Sequence, residues 1–354
     1  MPSLPAGRRT TILMLAVVAC MCGCSSVTAT TPAAPGTAAG TAAAPATAPA
    51  ASSPAPGTPA AGSPAAATPG ASLAYLRRIH TGSKPCAVLG AAGSVWVADF
   101  IDTRVSRIDP ATGRITAHVR TGAQPCGMAY GARSVWVENY GGDSVTRIDV
   151  RTLRTRSYPV GPSPYDVTFA GRAAWTTNYG DGTVTRIDAV TGRERTFRVG
   201  ASPVGIARAD GAVWVADQGS GTLSRIDAAT LKVTTIKVGG KPSWTAYAGN
   251  TIWVGDQAAG TVVRINARTR NVVARVKVGS TPNDGDVLGG AVWFPDMSGG
   301  LYRIGQRSNA VTGPFPLRAG NPFTLSAYAG RLWIADFAGT DVIVVNPARL
   351  PATG

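Results

Sequence analysis

Asp166, Trp244 and Asp284 are the side chains of this sequence best suited to chemistry that the rest of the chain does not ask for. Each stands two residues after a proline, where the corresponding positions elsewhere are the smaller Ala87, Gly127, Gly205 and Thr324. Carboxylates accept hydrogen bonds, hold cations and move protons, while an indole offers a broad apolar face and one donor. The residues just before them, Tyr165, Ser243 and Asn283, together with Phe323, are likewise larger or more polar than packing needs. A second set, Glu138, Tyr140, Tyr179, Phe100 and Phe337, follows a repeated tryptophan by two to four residues. Carboxylates among aromatics around one opening suit a polar ligand or a peptide. Drift of loop tips is the competing explanation, because loops vary as well as carry function.

The elements that place these residues come from a repeat. Trp96, Trp136, Trp175, Trp214, Trp253, Trp293 and Trp333 recur at intervals of about 40 residues, and Pro85, Pro125, Pro164, Pro203, Pro242, Pro282 and Pro322 keep the same beat upstream. Such a period in short β-rich units marks a propeller with one blade per repeat. In the fourth repeat, Val204–Arg208 reads as strand A and Asp210-Gly211 as a hairpin turn. Ala212–Ala216, Thr222–Ile226 and Val233–Val238 read as strands B, C and D. The seventh repeat stops after strand C, while residues 76–85 align with a D strand and the turn that follows it. The expected fold is therefore all-β, a seven-bladed β-propeller of four-stranded antiparallel blades, closed by an N-terminal strand that completes the last blade. The D–A and B–C turns then share one face, and both sets of candidate residues fall on it.

Most recurrent residues are explained by the blade. The seven tryptophans are expected in the core, and Arg107, Arg147, Arg186, Arg225, Arg264 and Arg303 as a rim ladder, with Val344 in the seventh repeat. The Asp or Asn three residues after each tryptophan is expected to fix the B–C turn by bonding nearby backbone N–H groups.

The remaining features concern location. Arg8 and Arg9 precede an apolar stretch from Ile12 to Ala19, too short to span a bilayer, which runs into Met21-Cys22-Gly23-Cys24. Residues 1–24 are expected to be a lipoprotein signal peptide with Cys24 as the lipidated residue and Cys20 as the alternative. Residues 25–72, almost wholly Ala, Pro, Thr, Ser and Gly, are expected to be a disordered linker. The propeller occupies 73–347 and a tail 348–354. The protein is expected to be exported, monomeric and anchored through its lipid to the outer face of a bacterial cytoplasmic membrane. Its formal charge of +15 is carried mainly by arginines that follow the repeat rather than cluster, which argues against nucleic acid as a partner. Cys86 and Cys126 occupy equivalent places in neighbouring blades. An oxidising compartment permits a disulfide, yet equivalent points of two blades can lie beyond its reach of about 7 Å between Cα atoms, so both states stay open.

Pro203-Val204-Gly205-Ile206-Ala207, Val213-Trp214-Val215-Ala216-Asp217 and Ser106-Arg107-Ile108-Asp109-Pro110-Ala111-Thr112-Gly113 resemble the repeat units of the streptogramin (virginiamycin B) lyase-like and YVTN-type β-propeller families. The resemblance spans residues 73–347 and rests on structural positions. It implies an elimination that opens a cyclic depsipeptide ester, with a histidine base and a magnesium held by acidic residues near the funnel. This chain departs from that pattern: its two histidines, His80 and His118, fall in outer D strands. The sequence also shows no Ser/His/Asp set and no Gly-rich phosphate loop. The favoured reading is a non-catalytic envelope module that binds a ligand or protein partner through Glu138, Tyr140, Tyr165, Asp166, Tyr179, Trp244, Asn283, Asp284 and Phe323, with no cofactor. The alternative is a metal-dependent lyase-like or lactonase-like enzyme in which Asp166, Asn283, Asp284 and Glu138 hold a divalent cation.

Overall fold

In blade 4 the sequence alternates and turns as a four-stranded sheet requires. Pro203–Ala209, Ala212–Asp217, Thr222–Asp227 and Val233–Lys237 form strands A to D, paired in that order. The A–B turn places Asp210 and Gly211 at φ 46° and 66°, the left-handed pair a two-residue hairpin demands and that Asp-Gly tolerates. Strand B is buried along its whole length, whereas strand D is only partly covered. Seven such sheets are present in the computed structural model, which describes residues 76–279 and 281–350. The expected signal peptide with Cys24, the linker and residues 351–354 lie outside the described residues.

Leu76–His80 forms the outer strand of blade 7, antiparallel to Asp341–Val345, with Leu76 opposite Val345 and His80 opposite Asp341. The sheet order runs from the closing strand inward to Pro322–Tyr328. The ring therefore closes by pairing the first described strand with the last, and no blade is left a strand short.

The tryptophans fill the spaces between blades, and none is more than 5% exposed. In six blades the indole N–H donates to the carbonyl five residues upstream, as Trp96 does to Ala91 at 3.3 Å and Trp136 to Gly131 at 3.1 Å. Blade 5 is the exception. There the hydroxyl of Thr251 donates to Ala248 O at 2.7 Å, the carbonyl that Trp253 would need, and the Trp253 N–H has no partner. The six recurrent arginines do more than line a rim. Each guanidinium lies over the tryptophan of its own blade, from 4.5 Å for Arg264 to 6.0 Å for Arg225, because strand C pairs residue for residue with strand B.

At the inner end, the ladder between strands A and B is interrupted. In blades 2, 3, 4, 5 and 7 the register shifts between the proline and the third residue after it. A bulge of this kind releases the two intervening residues from pairing and aims them away from the sheet. Blade 6 goes further. Its strand A keeps only Asp286–Leu288, and Pro282 retains a single isolated bridge to Asp296. Cys86 and Cys126, first of the released residues in blades 1 and 2, are joined by a disulfide with Cα atoms 5.0 Å apart. Neighbouring strands come closest at the axis, which brings these equivalent points within reach.

Candidate functional site

The inner ends of all seven A strands, including the released residues of blades 2 to 7, converge on one cavity of about 90 Å³ at the axis. Blades 1, 2 and 4 supply Ala87, Val88, Cys126, Gly127, Met128, Val204 and Gly205. Blades 3, 5, 6 and 7 supply Tyr165, Asp166, Ser243, Trp244, Asn283, Asp284, Phe323 and Thr324. The small residues are needed for the large ones to fit. A Cβ on Gly127 would lie 2.8 Å from the Asp166 carboxylate in the next blade, and one on Gly205 would lie 2.6 Å from the Cα of Trp244. At these two places a glycine in one blade clears the space that the larger residue of the following blade occupies, a packing pattern rather than drift.

Seven of the sequence candidates meet in this wall: Tyr165, Asp166, Ser243, Trp244, Asn283, Asp284 and Phe323. Three do not. Glu138 is completely buried behind Gly127, whose N–H it accepts at 2.7 Å. Tyr140 and Tyr179 flank Tyr165, with ring centroids 6.3 and 6.0 Å from it, and support the wall without lining it. Phe100 and Phe337 also pack together, at 5.5 Å, outside the cavity. Trp244 lines the cavity with little of its surface. It is 3% exposed and stacks on Phe294 of blade 6, so much of its role is to wedge two blades apart.

Sequence reading missed three residues. Gln218 and Gln257 line the cavity, and they occupy the same place after tryptophan as Tyr140 and Tyr179. That column holds the signal, although its amides stand out less than its aromatic members. Gln218 Nε2 donates to Gln257 Oε1 and Gln257 Nε2 to Asn283 Oδ1, each at 3.4 Å, and Asn283 Nδ2 donates to Pro322 O at 3.3 Å. This chain of amides runs across four blades at the cavity. The third is Asp286, which stands within strand A where most blades carry an apolar or small residue. Its oxygens accept from Val287 N at 2.7 Å and from Ala327 N of blade 7 at 2.9 Å.

The carboxylates around the cavity are all pushed toward the neutral form. Burial raises Asp166 to about 7, although the N–H groups of Ile206 and Val167, at 3.1 and 2.7 Å, favour its ionised state. Burial also lifts Asp284 well above the carboxylate range, helped by the negative charges of Asp166 and Asp286. Glu138 is raised by burial, against the pull of the Gly127 N–H, and further by Asp166. Burial raises Asp286 as well, opposed by its two backbone donors. No lysine, arginine or histidine lines the cavity among the described residues. Acidic groups in a low-dielectric cavity without a counterion behave in this way.

Two further arrangements bear on catalysis. His80 and His118 lie on outer strands and are exposed, so neither reaches the axis. The fold does bring an aspartate, a serine and a histidine together in blade 1: Ser106 Oγ is 2.5 Å from Asp99 Oδ2 and 3.0 Å from His118 Nδ1. The serine sits between the other two, whereas a nucleophilic relay needs the histidine in the middle. Other blades repeat the contact with Thr146 on Asn139, Thr185 on Asn178 and Ser224 on Asp217, which marks it as a device tying strand B to strand C. The recurrent Asp or Asn also reaches the D–A turn, as Asn139 does to the Gly122 N–H and Asp256 to that of Lys241, in addition to the B–C turn expected of it. Among the described residues no three His, Cys, Asp or Glu side chains come together as a set able to hold a metal ion. Asp166, Asn283, Asp284 and Glu138 are thus brought near one cavity without forming such a set.

No family model and no curated protein matches this chain. Solved structures do. A catalytically inactive histidine-to-alanine variant of virginiamycin B lyase from Staphylococcus aureus, determined with quinupristin, superposes with a TM-score of 0.69 at 17% identity over 76% of this chain and 98% of that one. Hydrazine synthase of Kuenenia stuttgartiensis gives 0.65 at 16% identity over 75% and 96%. The computationally designed protein Ika8 gives 0.58 at 12% identity over 75% and 97%. Likeness at these identities is a likeness of architecture, since propellers carry many unrelated functions. The chain is a seven-bladed β-propeller with the fold of virginiamycin B lyase.

Proposed function

We propose that this protein is a non-catalytic binding module of the bacterial cell envelope, exported and held by a lipid on Cys24, whose axial cavity receives a small ligand. The observation that carries the reading is the convergence of unrepeated polar and aromatic residues from five blades on one cavity. Supporting it, both histidines lie on the outer strands, so the funnel offers no imidazole to serve as a base. The apolar stretch before Gly23-Cys24 and the Ala/Pro/Thr-rich residues 25–72 support export and tethering.

Two measurements test it on the full exported chain. Thermal-shift screening against small amines, carboxylic acids, sugars and short peptides should yield stabilising compounds whose effect disappears in Asn283→Ala and Asp284→Asn, and mass spectrometry should recover those compounds unchanged. Quinupristin, the compound named with the structurally similar lyase, should likewise survive incubation with magnesium. Ring opening of quinupristin, or turnover of any hit, would replace this reading with the enzymatic one. A screen without a single funnel-dependent hit would end it.

A further inference from the structure

The charge lining the cavity runs opposite to that of the chain as a whole. The chain carries a formal charge of +15, yet the titratable side chains facing the axis are acidic only: Asp166 from blade 3 and Asp284 from blade 6, with Glu138 and Asp286 behind them. Asp166 has both oxygens engaged by backbone N–H groups, which hold the carboxylate in place. Glu138 supplies an independent indication. It is 0% exposed, one oxygen is bonded to Gly127 in the cavity wall, and the other, Oε2, is buried with no partner at all. Leaving a carboxylate oxygen unsatisfied in the interior is costly unless a donor or a positive charge arrives nearby.

Resting on the reading of the cavity as a ligand site, we propose that its ligand carries a primary ammonium group, with Asp166 and Asp284 as its counterions. An ammonium offers three N–H donors and one positive charge, which matches carboxylates with nothing else to neutralise them. The Gln218–Gln257–Asn283 amides, polar but uncharged, sit on the same wall. Tyr165 and Phe323 add aromatic surface, which attracts cations and accommodates a short carbon chain. The cavity volume of about 90 Å³ admits the head of such a molecule and excludes a bulky one. A cation also reverses the effect of burial on the acids, so binding expels the protons that they hold in the empty protein. The groups that set this titration are Asp284 and Glu138 facing Asp166, and Asp286 facing Asp284.

The test is calorimetric titration of the full chain with n-butylamine, n-butanol and butyrate at pH 6 and pH 8. Butylamine should bind, several-fold more tightly at pH 8, with protons released to the buffer at pH 6. Butanol and butyrate should bind at least tenfold more weakly. Asp284→Asn and Asp166→Asn should each weaken butylamine at least tenfold, while Asp188→Asn on the outer rim leaves it unchanged, and circular dichroism checks that each variant is folded. Equal binding of butanol, preference for butyrate, or indifference to both funnel substitutions in folded proteins would overturn the proposal. If the broader screen still produced neutral or anionic compounds dependent on Asn283, the binding reading would survive and only the ammonium assignment would fall.

Discussion

Aspartate behaves in opposite ways at the two ends of a blade. At the rim, Asp109, Asp149, Asp188 and Asp227 occupy the turn between strands C and D, and each accepts N–H groups from the residues two and three positions on. Those bonds stabilise the ionised form and hold all four below the usual carboxylate range, Asp188 at about 2. At the axis, Asp166 and Asp286 accept backbone N–H groups at similar distances, yet both are raised. The same hydrogen bonds therefore lose to burial when no water or cation shares the charge. The rim aspartates recur because they close the same turn in every blade that carries them. The axial acids stand in three blades only, and the fold gains nothing from their charge. Repetition separates what holds the propeller together from what it has been given to bind.

This contrast can be broken by experiment, most drastically at the rim. Deleting residues 76–80 removes the outer strand of blade 7 and exposes the edge of Asp341–Val345. Circular dichroism melting should show loss of the single cooperative transition; a deletion that melts like the intact chain would refute ring closure as the source of stability. The paired aspartate variants come next. Asp166 titrates near 7 in the folded chain against an ordinary 3.8, so the folded state holds an extra proton between those values and loses stability as pH rises from about 4 to about 7. Measured against its offset in acid, Asp166→Asn should thus gain on the parent over that window by up to about 4 kcal/mol at pH 8, with no change in the difference below pH 4. Asp188 has the opposite sign. Its contribution is present above pH 4 and fades as pH falls toward 2, so Asp188→Ala should melt lower than the parent at pH 7 and converge with it in acid. Urea denaturation of both variants across pH 2.5 to 8 reads the two curves, and parallel curves would abolish the distinction between rim and axis.

Smaller effects refine it. Arg107 lies 5.4 Å from the Trp96 ring and donates to Ser94 Oγ at 2.8 Å, so Arg107→Ala should cost about 1 kcal/mol in urea unfolding through lost packing and cation–π attraction. No loss would make the arginine ladder incidental. The smallest change should come from Thr251→Ala. It frees Ala248 O for the unpartnered Trp253 N–H, and exchanging one bond for another should leave stability unchanged or raise it by up to about 1 kcal/mol. A loss of more than that would mean that the indole does not turn to the freed carbonyl.

Much of the architecture was legible without coordinates because each repeat obeys local rules. The tryptophan and proline columns, the Asp-Gly turn at Asp210 and the match of residues 76–85 to a D strand follow from alternation, turn chemistry and period, and all of them reappear in the structure. The site was less legible. Gln218 and Gln257 share a column with tyrosines and are the less conspicuous members of it, and Asp286 lies inside a strand whose sequence gives no sign of ending early. Glu138, read as a surface ligand group, proved to be fully buried because the glycine at 127 leaves room behind the wall.

The amino-acid order alone decided seven four-stranded units and the strand that joins first to last, since alternation and turn residues act over a few positions and need no knowledge of distant neighbours. Which side chains meet at the axis was decided only by closing the ring. Residues 166 and 284 lie 118 positions apart in the chain, and their mutual repulsion exists because seven twisted sheets aim their inner ends at one point. The approach of Cys86 to Cys126 has the same origin, for blades crowd together only where they converge.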